Sequence, residues 1–246
     1  MSKKRYLRRL VFAILSTISL AAQQPSDTEI YKKFDEIVGI QNTRLYQGVA
    51  FREKYRTINE KTQYFASPRF LKGSIRYAGQ DYYGLDMKYD VYDDRILIKL
   101  VASVGGATLE AIPDWVDRFS IDGNRFRNIR QVDTKEINQY GFYKVSMEGE
   151  HLTLYTKYIK RRLSRMDREF IYYEFGQGKN SYVLHFNNRY LDIGSKKEFI
   201  TLFPEYKKQI RKFYGQYRKR KNRDTEGFLI SLTKFLDEQY VNTIKE

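Results

Sequence analysis

The chain has 246 residues, a length that corresponds to one large domain or two small ones. Hydrophobic residues make up 41% of it, aromatic residues 16% and charged residues 30%, and this apolar content excludes an intrinsically disordered protein. The 15 glycines and 4 prolines exclude collagen-like and low-complexity sequences. The formal net charge of +15 predicts an affinity for anionic partners.

Residues 1–22 have the pattern of a signal peptide. A basic stretch at residues 3–9 precedes an apolar run from Leu10 to Leu20, and two small residues, Ala21 and Ala22, follow it. The uncharged run is shorter than the ~20 residues that cross a bilayer, so the pattern favours cleavage near Ala22 and no transmembrane segment in the mature chain. Cleavage removes five basic and no acidic residues, and the net charge falls from +15 to +10.

This pattern predicts an exported protein that is periplasmic, associated with the outer membrane, or secreted. The chain contains no cysteine, so no disulfide can stabilise it. A periplasmic location agrees better with that composition than a harsh exterior does.

Residues 23–43 are predicted to form a short helix and a linker. Ser26 and Glu29 have the spacing of a capping box, and apolar residues then recur at helical intervals.

Residues 44–193 are predicted to form a β-rich body. Apolar and polar residues alternate from Leu85 to Tyr92, as they do on a half-buried strand. Closely spaced turn residues indicate hairpins and an antiparallel sheet of about ten strands. The turns lie at Asp93–Asp94, Asp122–Gly123, Glu148–Gly149, Gly176–Gly178 and Asn187–Asn188.

Residues 194–246 are predicted to form a helical carboxy-terminal segment that packs on the same unit. Ser195 and Glu198 have the spacing of a second capping box, and Asp224 is a favourable residue to precede a helix. Two apolar stripes predict two or three helices. The expected fold class is therefore α+β, with a predominantly antiparallel β-sheet, as a sandwich or open barrel, and two or three carboxy-terminal helices.

Two stretches, Lys72–Gly79 and Lys88–Asp94, resemble a group of uncharacterised exported bacterial envelope proteins that are β-rich. Members of that group have a helical carboxy terminus similar to Leu202–Ile210. The resemblance implies an envelope location in a Gram-negative-type cell, and it implies no activity and no functional residues.

Motifs for catalysis and for cofactor binding are absent from the sequence. It has no nucleophile elbow, no phosphate-binding loop, no dinucleotide fingerprint and no zinc-protease motif. The two histidines, His151 and His185, have no serine and carboxylate that the sequence places beside them. These observations favour a non-enzymatic protein without a cofactor or a metal.

Four aspartates offer an alternative, a glycan hydrolase that uses carboxylates of the Asp86–Asp94 region. Asp86 and Asp90 share a face of the predicted strand, while Asp93 and Asp94 lie at its turn. Two carboxylates can act as acid and base in glycoside cleavage, and turn oxygens can also bind calcium. Neighbouring basic residues and the frequency of aspartate in turns favour an ordinary solvated strand face.

Two basic patches are the candidate binding sites. One lies between Lys157 and Arg168, and the other within residues 207–223, which hold nine lysines and arginines and no acidic residue. The predicted ligand-binding residues are Arg218, Lys219, Arg220, Lys221, Arg223, Lys160, Arg161 and Arg162. Export argues against nucleic acid as the partner and favours anionic lipid, lipopolysaccharide or acidic glycan. A third interpretation is a structural partner that adds a strand to another exported protein.

Overall fold

A computed structural model describes residues 28–29, 31–33, 39, 42–101, 106–130 and 137–245. The predicted signal peptide lies outside the described residues. Within the predicted amino-terminal helix, residues 28–29 and 31–33 are helical, whereas Ser26 of its capping box is not among the described residues. A single turn of 3₁₀ helix, Arg44–Gln47, leads into the first strand.

Within the described residues, thirteen strands form the body of the protein. They are β1 Val49–Ala50, β2 Leu71–Tyr77, β3 Gln80–Asp90, β4 Arg95–Val101, β5 Gly106–Glu110, β6 Val116–Ile121, β7 Asn124–Asn128, β8 Phe142–Glu148, β9 Thr153–Lys157, β10 Lys160–Asp167, β11 Phe170–Gln177, β12 Ser181–Phe186 and β13 Arg189–Ile193. Eleven of them form one sheet in the order β1-β5-β4-β3-β2-β6-β7-β8-β9-β12-β13, and β10 pairs with β11 in a separate hairpin. These pairings are antiparallel, and the predicted α+β fold is confirmed.

Four of the five predicted turns join paired strands. Asn187–Asn188 connects β12 to β13, and both asparagines have a positive φ, which this residue type tolerates better than most. The prediction of a hairpin at Gly176–Gly178 is wrong. Strand β12 pairs with β9 and β13 rather than with β11, so this glycine segment is the return path of an inserted hairpin.

The first half of the sheet curls around its own apolar side chains. Strands β3 and β8 are separated by three strands in the sheet order, yet the rings of Tyr89 and Phe142 lie 6.1 Å apart. Phe119 and Phe126 stack between them with ring centroids 4.6 Å apart. One concave face of the sheet therefore encloses a core without help from a second sheet.

Four helices follow the strands rather than the predicted two or three, and the helical carboxy-terminal part of the predicted α+β fold is confirmed. They are α1 Lys196–Leu202, α2 Lys207–Gln216, α3 Arg218–Arg223 and α4 Thr225–Lys245. Ser195 and Glu198 form the predicted capping box at the start of α1. Asp224 caps α4 by accepting a hydrogen bond from the backbone N–H of Gly227 at 2.8 Å. None of the described helices has the length and apolar character needed to span a bilayer.

The longest helix, α4, is attached to the sheet by apolar and polar contacts. Phe228, Leu232 and Leu236 are fully buried in the apolar core that α4 shares with residues of β9 and β12. Asp237 accepts hydrogen bonds at 2.7–2.9 Å from three consecutive backbone N–H groups, at residues 150–152 in the β8–β9 turn. These contacts fix the helical segment on the β-sheet, as expected for one packed α+β unit.

Buried tyrosines lead to a prediction about alkaline pH. Burial raises the pKa of Tyr155 and of Tyr182 to about 12 in the folded protein, whereas tyrosines of an unfolded chain ionise near pH 10. Between these values the unfolded state binds fewer protons than the folded state, so the free energy of unfolding should fall as the pH rises. Denaturant titrations at pH 10.5 and pH 11.5 measure this loss.

Two partly buried lysines have the opposite effect on the free energy of unfolding at lower pH. Burial lowers the pKa of Lys157 and of Lys160, so their contribution to stability increases as the pH rises towards 10.5 and is constant above it. The tyrosine effect should therefore dominate above about pH 10.5. The Tyr155→Phe/Tyr182→Phe variant should lose less stability over the interval. Ionisation of both tyrosines near pH 10 in the folded protein, followed by absorbance at 295 nm, would contradict the prediction.

Candidate anion-binding site

A basic cleft lies among the first three helices of the carboxy-terminal segment. It has a volume of about 420 Å³ and opens to solvent. We call it the helical cleft and define it by the residues that line it, which are Lys196, Arg211, Tyr214, Gly215, Arg218, Lys221 and Asn222.

Helix geometry brings these residues together. The capping box at Ser195 sets the start of α1 and places Lys196 in its first turn. Arg211 and Tyr214 are three residues apart and therefore neighbours on one face of α2. Tyr217 is the C-cap residue of α2, and α3 begins directly after it. Arg218 and Lys221 on α3 are again three residues apart and so lie on one face of that helix.

The charge of the helical cleft is of one sign. Four cationic side chains line it, and the lining contains no carboxylate. Glu198 is an acidic residue close to the cleft, and its Oε2 accepts hydrogen bonds from the backbone N–H groups of Gly194 and Ser195 at 2.7 and 2.9 Å. That carboxylate is engaged in capping α1, so the four cations are available to an anion from solution.

Tyr214 is the aromatic residue in the lining of the helical cleft. Its side chain is 9% exposed, its ring packs edge-on against Phe228 at 4.9 Å, and Lys221 Nζ lies 5.2 Å from the ring centroid. Burial, and secondarily the charge of Glu198, raises the pKa of Tyr214, so the phenol stays protonated at neutral pH. The hydroxyl is buried and has no hydrogen-bond partner among the described residues. A buried hydroxyl without a hydrogen-bond acceptor destabilises the fold unless a ligand or a water molecule accepts its hydrogen bond.

The structure separates the sequence-predicted residues of the second basic patch. Arg218 and Lys221 line the helical cleft, whereas Lys219, Arg220 and Arg223 lie on α3 outside the cleft lining. The predicted ligand-binding residues did not include Lys196, Arg211 and Tyr214, although the last two lie within the second basic patch. The spacing 211, 214, 218 and 221 was the signal in the sequence, because it places four residues along one helical stripe.

The other predicted residues lie on β10, apart from the cleft lining. Lys160 is half-buried, and its Nζ donates hydrogen bonds to the carbonyl oxygens of Thr62 and Tyr64, so it ties strand to loop. The guanidinium of Arg162 lies 5.2–5.6 Å from the ring centroids of three tyrosines at positions 55, 92 and 173. Arg161 is exposed.

The four aspartates of the alternative hydrolase site are each held by a cation. Asp86 pairs with Lys72 at 2.9 Å. Asp90 and Asp93 both pair with Arg95, at 3.1 and 2.8 Å. Asp94 pairs with Arg130 and Lys157 in a separate buried cluster. These carboxylates occupy three different environments and do not form an acid–base pair across one cleft.

The histidines have aromatic neighbours. His185 lies 4.5 Å from the ring of Tyr190, and burial together with the charge of Arg127 lowers its pKa. His151 lies 5.2 Å from the ring of Tyr240. Within the described residues, no group of three or more histidine, aspartate or glutamate side chains is arranged to hold a metal ion.

A larger groove of about 790 Å³ lies on the outer face of the sheet, across β2, β6 and β7. It also contains arginines, but carboxylates neutralise most of them. Arg76 and Arg118 share Asp81, and Arg125 pairs with Glu148 at 2.9 Å. The groove is therefore of mixed charge, whereas the helical cleft carries unbalanced positive charge.

Comparisons with known proteins do not identify the chain. No protein-family model, curated protein or solved structure matches it. The resemblance to exported envelope proteins therefore stays a hypothesis. A fold class alone does not determine an activity, so the chemistry of the site is the basis for a function.

Proposed function

We propose that the protein is an exported, envelope-associated binding protein that is not an enzyme, and that it holds a phosphate-bearing anion in the helical cleft. One observation carries this proposal. Four cationic side chains and Tyr214, whose buried hydroxyl has no hydrogen-bond partner among the described residues, line a cleft whose walls contain no carboxylate. The export step rests on the signal-peptide pattern of residues 1–22.

The chemistry of the lining favours phosphate over an isolated carboxylate. A phosphate group offers several acceptor oxygens and more negative charge, and two arginines can each donate two parallel hydrogen bonds to it. Arg211 and Arg218 supply such planar donors, and Lys196 and Lys221 add two point charges. In a bacterial envelope, phosphate groups of this kind occur on acidic lipids and on lipopolysaccharide, and acidic glycans present carboxylates instead.

The state of the aspartates supports binding rather than hydrolysis. A general acid must be able to give up a proton to the substrate, and a general base must be free to accept one. In the Asp86–Asp94 region each carboxylate is already neutralised by lysine or arginine. The lysines and arginines of the helical cleft, by contrast, have no carboxylate in the cleft lining to neutralise them.

Binding to anionic probes tests the proposal. We expect the protein to sediment with phosphatidylglycerol vesicles and with lipopolysaccharide but not with phosphatidylcholine vesicles. Raised salt should release the protein from both anionic probes, because the distance over which charges attract each other falls to a few ångströms. The Arg211→Gln/Arg218→Gln variant should bind roughly thirtyfold more weakly, at about 1 kcal/mol for each charge near an anionic surface.

The matched control is Lys219→Gln/Arg220→Gln, which removes the same charge from α3 outside the cleft lining. We expect it to lose less than threefold in affinity, a smaller effect than for the cleft variant. Equal losses in the two variants would mean that overall charge, not the cleft, drives binding. Preference for polygalacturonate over both phosphate probes would contradict phosphate recognition.

A further inference from the structure

The hairpin of β10 and β11 presents an exposed strand to solvent. It is inserted between β9 and β12, which pair directly with each other. Residues 161–167 of β10 are exposed without interruption, and β10 pairs only with β11 among the described strands. An edge strand of this kind is open to pairing with another chain.

The backbone hydrogen bonds fix which groups of β10 point outward. On β11, the N–H groups of Tyr173 and Phe175 donate to the carbonyls of Arg56 and Lys61, on the side away from β10. Their register partners on β10 are Ser164 and Arg162. In an antiparallel ladder, when the backbone N–H and C=O of one residue point away from the partner strand, those of its register partner also point away. The backbone N–H and C=O groups of Arg162 and Ser164 therefore face the outer edge of β10. Those of Met166 face the same way, because the direction alternates along the strand.

Large apolar side chains are exposed on β10 and at the tip of the hairpin. Met166 is 75% exposed, Phe170 58%, Ile171 54% and Leu163 49%. Met166 and Ile171 are register partners on one face of the hairpin, while Leu163 and Phe170 lie on the other face. Clustered exposure of this kind marks an interaction site more often than solitary surface residues do.

The open backbone decides against a lipid bilayer as the occupant. Unpaired N–H and C=O groups cost several kcal/mol each in hydrocarbon, whereas an added strand would satisfy them. Asp167 and Glu169 at the tip add charge that a bilayer would also have to accept. A second copy of the chain is the competing occupant, and a dimer of the protein that forms through β10 in solution without any peptide would contradict the inference made below.

We infer that β10 accepts an extended, acidic segment of another protein as an additional antiparallel strand. Main-chain hydrogen bonds to Arg162, Ser164 and Met166 would provide the affinity. Arg161 and Arg162 would favour glutamate or aspartate in the incoming strand, whereas Arg165 already pairs with Glu174 at 3.4 Å. This surface lies on a hairpin outside the helical cleft lining, so the inference goes beyond the phosphate-binding function and does not depend on it.

A synthetic peptide in which glutamate alternates with valine is the probe. We expect it to slow amide hydrogen exchange at Arg162, Ser164 and Met166 by at least tenfold. The same peptide with N-methyl groups on alternate residues cannot complete the ladder and should bind at least tenfold more weakly. A lysine–valine peptide of equal length should not bind.

Ser164→Pro tests the same edge from the protein side. Proline is tolerated on an edge strand where the N–H faces outward, so the hairpin should remain folded while peptide affinity falls at least tenfold. Ser164→Ala is the matched control and should bind within twofold of the wild type. Equal binding of the N-methylated peptide, unchanged exchange at the three amides, or no binding of the acidic peptide would each overturn the inference. The Arg211→Gln/Arg218→Gln variant should bind the peptide normally, which separates this outcome from failure of the cleft proposal.

Discussion

Replacement of Gly215 by glutamate should abolish binding of phosphatidylglycerol vesicles and lipopolysaccharide while the protein stays folded. Gly215 lines the helical cleft, and a Cβ atom built at this position meets no other atom within 4 Å. The new carboxylate would enter a lining that has four cations and no acid, and would pair with them in place of the ligand. Vesicle sedimentation and lipopolysaccharide binding measure the effect.

The fold should tolerate this change because glycine is a poor helix former. Replacing a glycine inside a helix by another residue stabilises it by up to about 1 kcal/mol, and a negative charge near the carboxy-terminal end of α2 offsets part of that gain. Gly215→Gln has the same size without the charge and should retain most of the affinity. Equal loss in both variants would indicate a steric effect, and unchanged binding in Gly215→Glu would remove the helical cleft as the binding site.

Replacement of Asp94 by alanine should produce a large loss of stability. The carboxylate pairs with Arg130, lies 3.1 Å from Lys157 Nζ and accepts a hydrogen bond of 2.8 Å from the Tyr89 hydroxyl. Lys157 and Arg130 are largely buried, and the variant would leave both charges without their carboxylate. Removal of one partner from such a cluster costs about 3–5 kcal/mol. In a chain of this length, that corresponds to a fall in melting temperature of roughly 10 °C.

Asp86→Ala is the control for that measurement, because Asp86 belongs to the same acidic region but pairs with Lys72 on the surface. Exposed ion pairs contribute about 0–1 kcal/mol, so its melting temperature should change by no more than about 3 °C. Thermal unfolding of the two variants side by side gives the difference. Similar melting temperatures would show that the cluster around Asp94 does not hold the curled sheet together.

Much of the architecture follows from local signals. Ser195 with Glu198 predicted the start of α1, and Asp224 predicted the start of α4, because a side-chain oxygen at these positions satisfies free backbone N–H groups. Asn187–Asn188 predicted the β12–β13 hairpin, since asparagine accepts a positive φ. Each signal depends on neighbours within four residues, and such signals can be read from one sequence.

Other features depend on contacts between distant residues. The turn of the β10–β11 hairpin contains no glycine, asparagine or proline, and Arg168 adopts the positive φ there, so no turn residue marked it. Gly176 and Gly178 indicated that a strand ends near these positions. They did not indicate that the next strand, β12, pairs with β9. The contact between Tyr89 and Phe142 results from curvature of the whole sheet, which no local pattern records.

The candidate site was predicted only in part for the same reason. Arg218 and Lys221 belong to a visible run of charge, whereas Lys196 reaches the cleft from another helix. Charge density identified the region but could not separate cleft residues from solvated ones such as Lys219 and Arg220. That distinction depends on how α1 and α2 pack, and the packing is set by apolar residues outside the basic run.

The β10–β11 hairpin leaves and rejoins the sheet at one point, so it can be replaced without changing the rest of the fold. Lys157 at the end of β9 and Ser181 at the start of β12 are register partners, so the ladder between these two strands is already in place when residues 158–180 depart from it. A short turn could connect the same two ends without changing the order of the sheet. Insertions at such points are well tolerated. Mutation and selection can therefore lengthen, shorten or rewrite this recognition element while the eleven-stranded scaffold keeps its pairing.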